Sequence, residues 1–577
     1  MAKIIYVCLR EPAQDADTAR AVAAVADRLL PDNLPRIPSR VLMSNGIVAG
    51  ISGQSDLLGV RGCSLAAGYL VEPGAWERPR TGRPDGAYAL FRSDDTVVEI
   101  VTDTLASRTV WYVLTDRIFI ASTSQRAIVA LLGSFEFNPD TVPWMLAAGT
   151  LGPEQSWDRR IRCVRGASCV ILDRRAWTLK EQTEPVRFEP RAVSDREHER
   201  LMADALRRAV GGARVADPRW AIALSGGVDC RTILCLLPET QGLRAVTWGL
   251  RASLDDPGND ASIAKRLARH FGLEHQYFET DLSAEPVDRV FHRFVTSGEG
   301  RIDHISGYAD GFSLWRKLHE IGVRGIVRGD EAFGLKRRYT ARAVRAIYLP
   351  LWSDFSTLPP LEKFGLPPQS VPKWLQQQVG ESLATWRDRI QQQYRTPYNY
   401  AALSDLKLSY VEILNPLISG SLVDLVRQLP DGLRTDKALF KRVASSLSPN
   451  IPFANSAAIQ SGADILNSPS VVELLSDSLS SNGVDGVDSV IPAELIAYIK
   501  SGLVQATSSP RSAAGRRLRS AARALVPAWA GRLPRFSEPQ KPVLSHNRLA
   551  FRAYLISRVR RLFAADANAI ELGTAHD

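Results

Sequence analysis

Short apolar runs separated by polar turns dominate the first 190 positions of the chain. Residues 4–9, 87–91, 97–101, 109–114, 118–122 and 166–172 have the length and the β-branched or aromatic content of strands, spaced like a meander. A polar, charged stretch at 185–196 reads as a linker. The period then changes: between 194 and 210, Leu201, Ala205, Leu206 and Ala209 fall on one helical face. From Trp220 to Gly334 strand-like runs at 221–224, 245–249 and 325–328 alternate with helical runs near 230–237, 260–272 and 311–322. Such alternation predicts a parallel sheet covered by helices on both faces. Beyond Leu335 the pattern is mainly helical, and 461–489, rich in Ser, Asn, Asp and Gly, reads as a mobile loop or insertion. There is no internal repeat.

With 577 residues, 45% of them hydrophobic, the chain is long enough for two or three packed domains. No apolar run reaches membrane-spanning length, and the start MAKIIYVCLR lacks a signal-peptide layout, so a cytoplasmic protein without membrane insertion is expected. The six cysteines are scattered and form neither a zinc pattern nor a disulfide framework. The formal net charge of +10 is uneven. Arg511, Arg516, Arg517, Arg519, Arg523, Arg532, Arg535, Arg548, Arg552, Arg558, Arg560 and Arg561 crowd the C-terminal segment. A solvated helix face is the expected reading of that run, ahead of a grip on acidic peptide, RNA or a membrane surface. Aromatic residues are not interleaved as a single-strand nucleic-acid platform requires.

Chemistry concentrates at Leu224-Ser225-Gly226-Gly227-Val228-Asp229, between an apolar strand and a helix start. Glycines there let the backbone approach phosphate, and free N–H groups with the positive helix end face the charge. Asp229, just past the turn, is placed to hold the Mg²⁺ that accompanies a nucleoside triphosphate. Two later strand ends complete the set: Thr247-Trp248-Gly249, and Gly325 to Gly334 with Arg328-Gly329-Asp330-Glu331 within it.

In order and spacing this set resembles the synthetase domain of the asparagine synthetase family, whose nucleotide loop reads SGGxDS and whose later loop reads roughly GxGxDExFGG. Leu414-Asn415-Pro416-Leu417 and Lys437-Ala438-Leu439-Phe440-Lys441 are similar to that family's helical stretch. Upstream, 85–90, 103–112 and 120–122 resemble its glutaminase domain in degenerate form. The resemblance implies an N-terminal αββα glutaminase-like sandwich over about 1–190. An α/β PP-loop synthetase domain, adenine nucleotide hydrolase-like and with a helical, basic C-terminal part, would follow over 195–577. It implies ATP and Mg²⁺ as cofactors, with Leu224, Ser225, Gly226, Gly227, Asp229, Trp248, Gly249 and Gly329 around the nucleotide. Asp229 and Asp330 would bind the metal, and Asp229, Asp330, Glu331 and Lys437 would be catalytic.

Departures from the family pattern refine the expectation. Cys230 stands where the family has a phosphate-binding Ser, and Val327 where relatives place a catalytic Glu or Tyr, so a base must come from Glu331 or Glu299. The residues after Pro452, Phe-Ala-Asn-Ser-Ala-Ala, include no pyrophosphate-binding base, and among Lys437, Lys441, Lys336 and Arg328 the least arbitrary substitute is Lys437. Family glutaminases expose an N-terminal cysteine, whereas Cys8 here lies inside a strand pattern; the glutamine-hydrolysing half is expected to be dead. The resemblance then implies an AMP-forming amide ligase whose amine is already on the substrate. The closest branch is the lasso peptide macrolactam cyclases, which join an Asp or Glu side chain of a precursor peptide to its N-terminal amine. A leader-binding protein and a cysteine protease would be pathway partners. The alternatives are an asparagine synthetase-like or β-lactam synthetase-like small-molecule ligase, an inactive nucleotide-binding scaffold, and a tRNA-acting enzyme.

Overall fold

The computed structural model describes residues 3–11, 15–480, 490–504 and 543–569. Its N-terminal part holds twelve strands: β1 (Lys3–Leu9), β2 (Arg40–Ser44), β3 (Ile47–Ser52), β4 (Leu58–Arg61), β5 (Ser64–Leu70), β6 (Gly86–Ser93), β7 (Val97–Thr102), β8 (Trp111–Leu114), β9 (Ile118–Ser122), β10 (Arg162–Cys163), β11 (Ser168–Asp173) and β12 (Thr178–Thr183). They form two six-stranded antiparallel sheets, ordered β10-β8-β9-β1-β3-β2 and β12-β11-β7-β6-β5-β4. Alternation along β1 explains how they stack. Ile4, Tyr6 and Cys8 pack with Leu65, Ala89, Phe91 and Ile100 of the second sheet. Ile5, Val7 and Leu9 point the other way, toward Val22 and Val25 of the helix Asp15–Arg28 and Ile128 of the helix Gln125–Leu132.

One expected layer differs. Over the outer face of the second sheet, Tyr88, Leu90 and Val101 pack with Trp76, which lies in the non-helical segment between β5 and β6. Among the described residues the sandwich therefore carries its helical layer on the first sheet only.

A third sheet contains β13 (Trp220–Ala223), β14 (Arg244–Gly249), β15 (His275–Glu279), β16 (Gly325–Val327) and β17 (Glu412–Leu414), all parallel in the order β15-β14-β13-β16-β17. The hydrophobic pattern predicts β13, β14 and β16. It misses β15, a polar edge strand (HQYFE), and β17, three residues long in a stretch that reads as helical. The chain lays strands to one side of β13 and then to the other, so the direction reverses between β13 and β16. Loops leaving the carboxyl ends of those two strands are neighbours at the switch point, where ligands bind in such sheets.

The two halves are joined by buried charge. Arg108 pairs with Glu412 of β17, and the buried Arg301 donates to Thr109 Oγ1 at 2.7 Å. Glu299, a candidate base from sequence, belongs to this joint. Its carboxylate accepts from Ser124 Oγ and from Gln125 N–H at 3.0 Å, at the start of the helix Gln125–Leu132. It is a structural carboxylate.

The C-terminal helix His546–Ala567 also corrects an expectation. Of its arginines Arg561 is exposed, but Arg552 is 5% exposed and donates to Asp303 at 2.7 Å and to the carbonyls of Leu146 and Ala147. Arg558 and Arg560 lie over the rings of Tyr554 and Phe137. Arg511, Arg516, Arg517, Arg519, Arg523, Arg532 and Arg535 lie outside the described residues. The Ser-rich stretch from 461 contains the helix Pro469–Ser480, because Val471, Leu475 and Leu479 recur at helical spacing and are buried; 481–489 lies outside the described residues. Among the described residues no helix is long and apolar enough to cross a membrane.

Cys8 is fully buried in β1, and burial pushes its thiol up to about 11. Cys230 is pushed up to about 12, by burial first and then by Asp229. Since the thiolate is the nucleophile, native protein held with iodoacetamide at pH 8 is expected to leave both unmodified in a peptide mass map. Carbamidomethylation of Cys8 in the folded protein would contradict its placement as a core residue.

Candidate functional site

The turn after β13 is built as an anion cradle. Leu224 N–H donates to the Val246 carbonyl at 2.8 Å, which holds the strand end in register, and Thr247 Oγ1 donates to the Leu224 carbonyl at 2.7 Å. Gly227 caps the helix Val228–Leu236 and donates its N–H to Ser225 Oγ at 3.2 Å. Gly226 N–H donates to Asp260 Oδ1 at 3.0 Å, so a carboxylate already occupies one anion position of the turn. Burial raises the Asp260 carboxyl above its ordinary range, and the single N–H does not offset it.

A strap missed by sequence reading lies across this turn. Ala454 N–H donates to the Gly226 carbonyl at 3.0 Å, and Leu250 N–H donates to the Ala458 carbonyl at 2.8 Å. A Cβ on Gly226 would stand 2.4 Å from the Ala454 Cβ, and one on Gly249 2.5 Å from the Ala458 Cβ. Arg231, fully buried, ties the strap down through the carbonyls of Ile451 and Pro452 and lies 4.1 Å from the Phe453 ring centre. The sequence signal was present in the paired glycines, which only a close-packed backbone requires. Trp248, at the end of β14, is half-buried and sits edge-on to Trp315 at 5.4 Å.

Across the switch point, the loop after β16 brings the second half of the predicted set beside the first. A Cβ on Gly329 would lie 2.8 Å from both the Asp229 Cβ and the Cys230 nitrogen, so glycine is what lets the two loops touch. Lys437 Nζ donates to Asp229 at 3.0 and 3.1 Å and pairs with Glu331 at 2.7 Å. Of the four basic residues considered from sequence, Lys437 is the one on these carboxylates; Lys441 pairs with Asp436. Asp436 and Lys437 have φ values of 58° and 57°, left-handed and unfavourable for side chains of this kind, and Asp436 N–H is anchored on the Leu335 carbonyl at 2.9 Å. Strained residues persist where surrounding structure over-determines them, and here the strain delivers the ammonium to the carboxylates.

Asp330 is held differently. Arg328 donates to both of its oxygens at 3.1 Å, and Asn415 Nδ2 adds a bond at 3.0 Å. Burial alone would raise its carboxyl, but the Arg328 guanidinium outweighs it and holds Asp330 below the usual carboxylate range. Asp229 and Glu331 go the other way. Burial raises both, and a single lysine shared by two carboxylates cannot compensate either fully. Lys437 itself is raised, since Glu331 and Asp229 overcome the burial that disfavours its charge. Asp229 and Lys437 keep 28% and 21% of their side-chain surface, enough for a ligand to reach them.

The two carboxylates expected to bind magnesium are both engaged by cations in this arrangement. Both oxygens of Asp229 are spent on Lys437 and both of Asp330 on Arg328, with Asn415 on one of them. No group of three or more His, Cys, Asp or Glu side chains among the described residues forms a metal site. What the cluster does offer is two fixed cations, a glycine turn and a helix start converging on one place.

The model of the asparagine synthase family matches residues 201–459. Enzymes of that family are ATP-dependent, AMP-forming amide ligases. No curated protein matches the chain. Two solved structures are similar at 11% identity and a TM-score of 0.20, over 48% of this chain. They are a glutamine phosphoribosylpyrophosphate (PRPP) amidotransferase from B. subtilis complexed with ADP and GMP, and an allosteric regulatory enzyme of purine biosynthesis, of whose chains 65% and 64% are covered, a little under two thirds. The stretch 201–459 that matches the asparagine synthase model contains the glycine turn, the Asp330 loop, the strap and Lys437.

Proposed function

We propose that the chain is an ATP-dependent ligase that activates a carboxylate as its adenylate and joins it to an amine. The carrying observation is the convergence of the Ser225–Gly227 turn with Lys437, which spans Asp229 and Glu331 at 3.0 and 2.7 Å. A carboxylate oxygen of the substrate attacks the α-phosphorus of ATP, and pyrophosphate leaves. The Gly226 and Gly227 N–H groups are spent on Asp260 and Ser225, so the positive end of the helix Val228–Leu236 holds the phosphates. Lys437, released from one of its two carboxylates, meets the charge that develops on the leaving pyrophosphate. The amine then attacks the acyl carbon, AMP departs with the bridging oxygen, and Glu331 is the carboxylate beside the site that can take the amine proton. Its raised affinity for protons suits that task.

The finer reading is a macrolactam closure, in which an Asp or Glu side chain of a precursor peptide is adenylated and the peptide's own N-terminal amine attacks. A leader-binding protein and a cysteine protease would then act on the same peptide. Burial of Cys8 supports an amine that comes from the substrate rather than from glutamine. The closed Arg328–Asp330 pair favours a second reading, a nucleotide-binding scaffold without catalysis.

Exchange of labelled pyrophosphate into ATP separates the two. A ligase is expected to exchange only when a carboxylate substrate is supplied, with Asp229→Asn abolishing the signal. Nucleotide binding without exchange, across acidic peptides and amino acids, would leave the scaffold.

A further inference from the structure

Directly after the Gly329–Gly334 loop the chain carries five basic residues and no carboxylate between Lys336 and Arg345. Arg345 is neutralised by Asp354. Lys336, Arg337 and Arg342 are exposed, and neither they nor Arg338 has a carboxylate partner among the described residues; Tyr339, 50% exposed, stands in their midst. At the base of this segment two guanidiniums converge on one ring. Arg338 and Arg395 lie 5.9 and 5.7 Å from the centre of the buried Tyr348 ring, and the Nε atom of each is buried without a hydrogen-bond partner. Like charges gathered on one ring with unspent donors call for an anion.

The segment is fixed to the rim of the candidate site. The Leu335 carbonyl accepts from Asp436 N–H at 2.9 Å, one residue before Lys437. Leu335 N–H donates to Asp388 at 3.3 Å, and the Lys336 carbonyl accepts from Arg387 at 3.1 Å. The cations thus stand beside the groups that handle the nucleotide, on a scaffold that does not depend on the ligand.

We propose that the face formed by Lys336, Arg337, Arg338 and Arg342, with Arg395 beneath it, docks the acidic stretch of a peptide substrate beside the ligase site. This rests on the amide-ligase reading and names the chemistry of its substrate. Exposed pairs are individually weak, so recognition comes from several cations acting on a chain that bears several carboxylates, and it guides the acidic peptide to the site more than it fixes one residue.

The test is fluorescence anisotropy of fluorescein-labelled hexaglutamate with the full-length chain at low salt. Binding is expected, weakening as sodium chloride rises, and the double variant Arg337→Glu, Arg342→Glu should lower affinity about tenfold or more. Labelled hexalysine should not bind. Binding of a fluorescent ATP analogue should be the same in the variant and the parent, which keeps this result independent of the ligase reading. An unchanged hexaglutamate affinity in the double variant overturns the proposal. So does tighter binding of a single-stranded RNA of equal formal charge, which would make the face a nucleic-acid surface.

Discussion

Replacing Lys437 by alanine is expected to lower pyrophosphate exchange by about a hundredfold or more, the scale on which one preorganised charge-stabilising donor acts. Two effects combine. The departing pyrophosphate loses its nearest fixed cation, and Asp229 and Glu331 are left facing the phosphates with their negative charge unbalanced. Lys437→Arg keeps the charge but widens the donor, so it should recover part of the rate. Neither change should unfold the protein, because Lys437 is part-exposed and leaves no fully buried charge behind. Exchange kinetics beside a circular dichroism melt check this. A Lys437→Ala protein that exchanges at the parental rate would remove the lysine from the mechanism.

The largest effect on stability is expected at Asp388. It is 2% exposed and takes hydrogen bonds from Arg387 at 2.8 and 3.0 Å, from Arg434 at 3.2 Å and from Leu335 N–H at 3.3 Å. Arg387 and Arg434 are themselves 1% and 0% exposed. Breaking a buried pair by removing one partner leaves uncompensated charge and costs about 3–5 kcal/mol. Asp388→Ala strands two guanidiniums at once, although Arg434 keeps Asp431 and the Leu429 carbonyl. A marked drop in the urea midpoint is expected, with Asp388→Asn between it and the parent because the amide oxygen still accepts. A midpoint indistinguishable from the parent would show that the arginines find other partners.

Much of the site was legible because glycine and short-range order carry it. Gly226, Gly249 and Gly329 sit where backbones touch, and a sequence shows glycines at strand ends directly. Strands with apolar cores, such as Ala221 to Ala223 in β13, announced themselves; β15 did not, because it is an edge strand with mostly polar faces. What could not be read was pairing across long separations. Nothing local in Arg328-Gly329-Asp330 says that the arginine folds back on the aspartate, or that Asn415 joins it from 85 residues away. The same holds for Glu299, a candidate base in the sequence and, in the structure, the acceptor for Ser124 and Gln125, 175 and 174 residues away. The C-terminal arginines misled for a related reason: a charge run looks solvated until a buried partner such as Asp303 is placed beside it.

The central claim is that this site makes an acyl-adenylate. It predicts the fate of one oxygen atom: with a substrate that supports exchange, labelled with ¹⁸O in its carboxylate, the AMP released should carry one ¹⁸O on its phosphate by mass spectrometry. Release of ADP, or of AMP without the label, would contradict it.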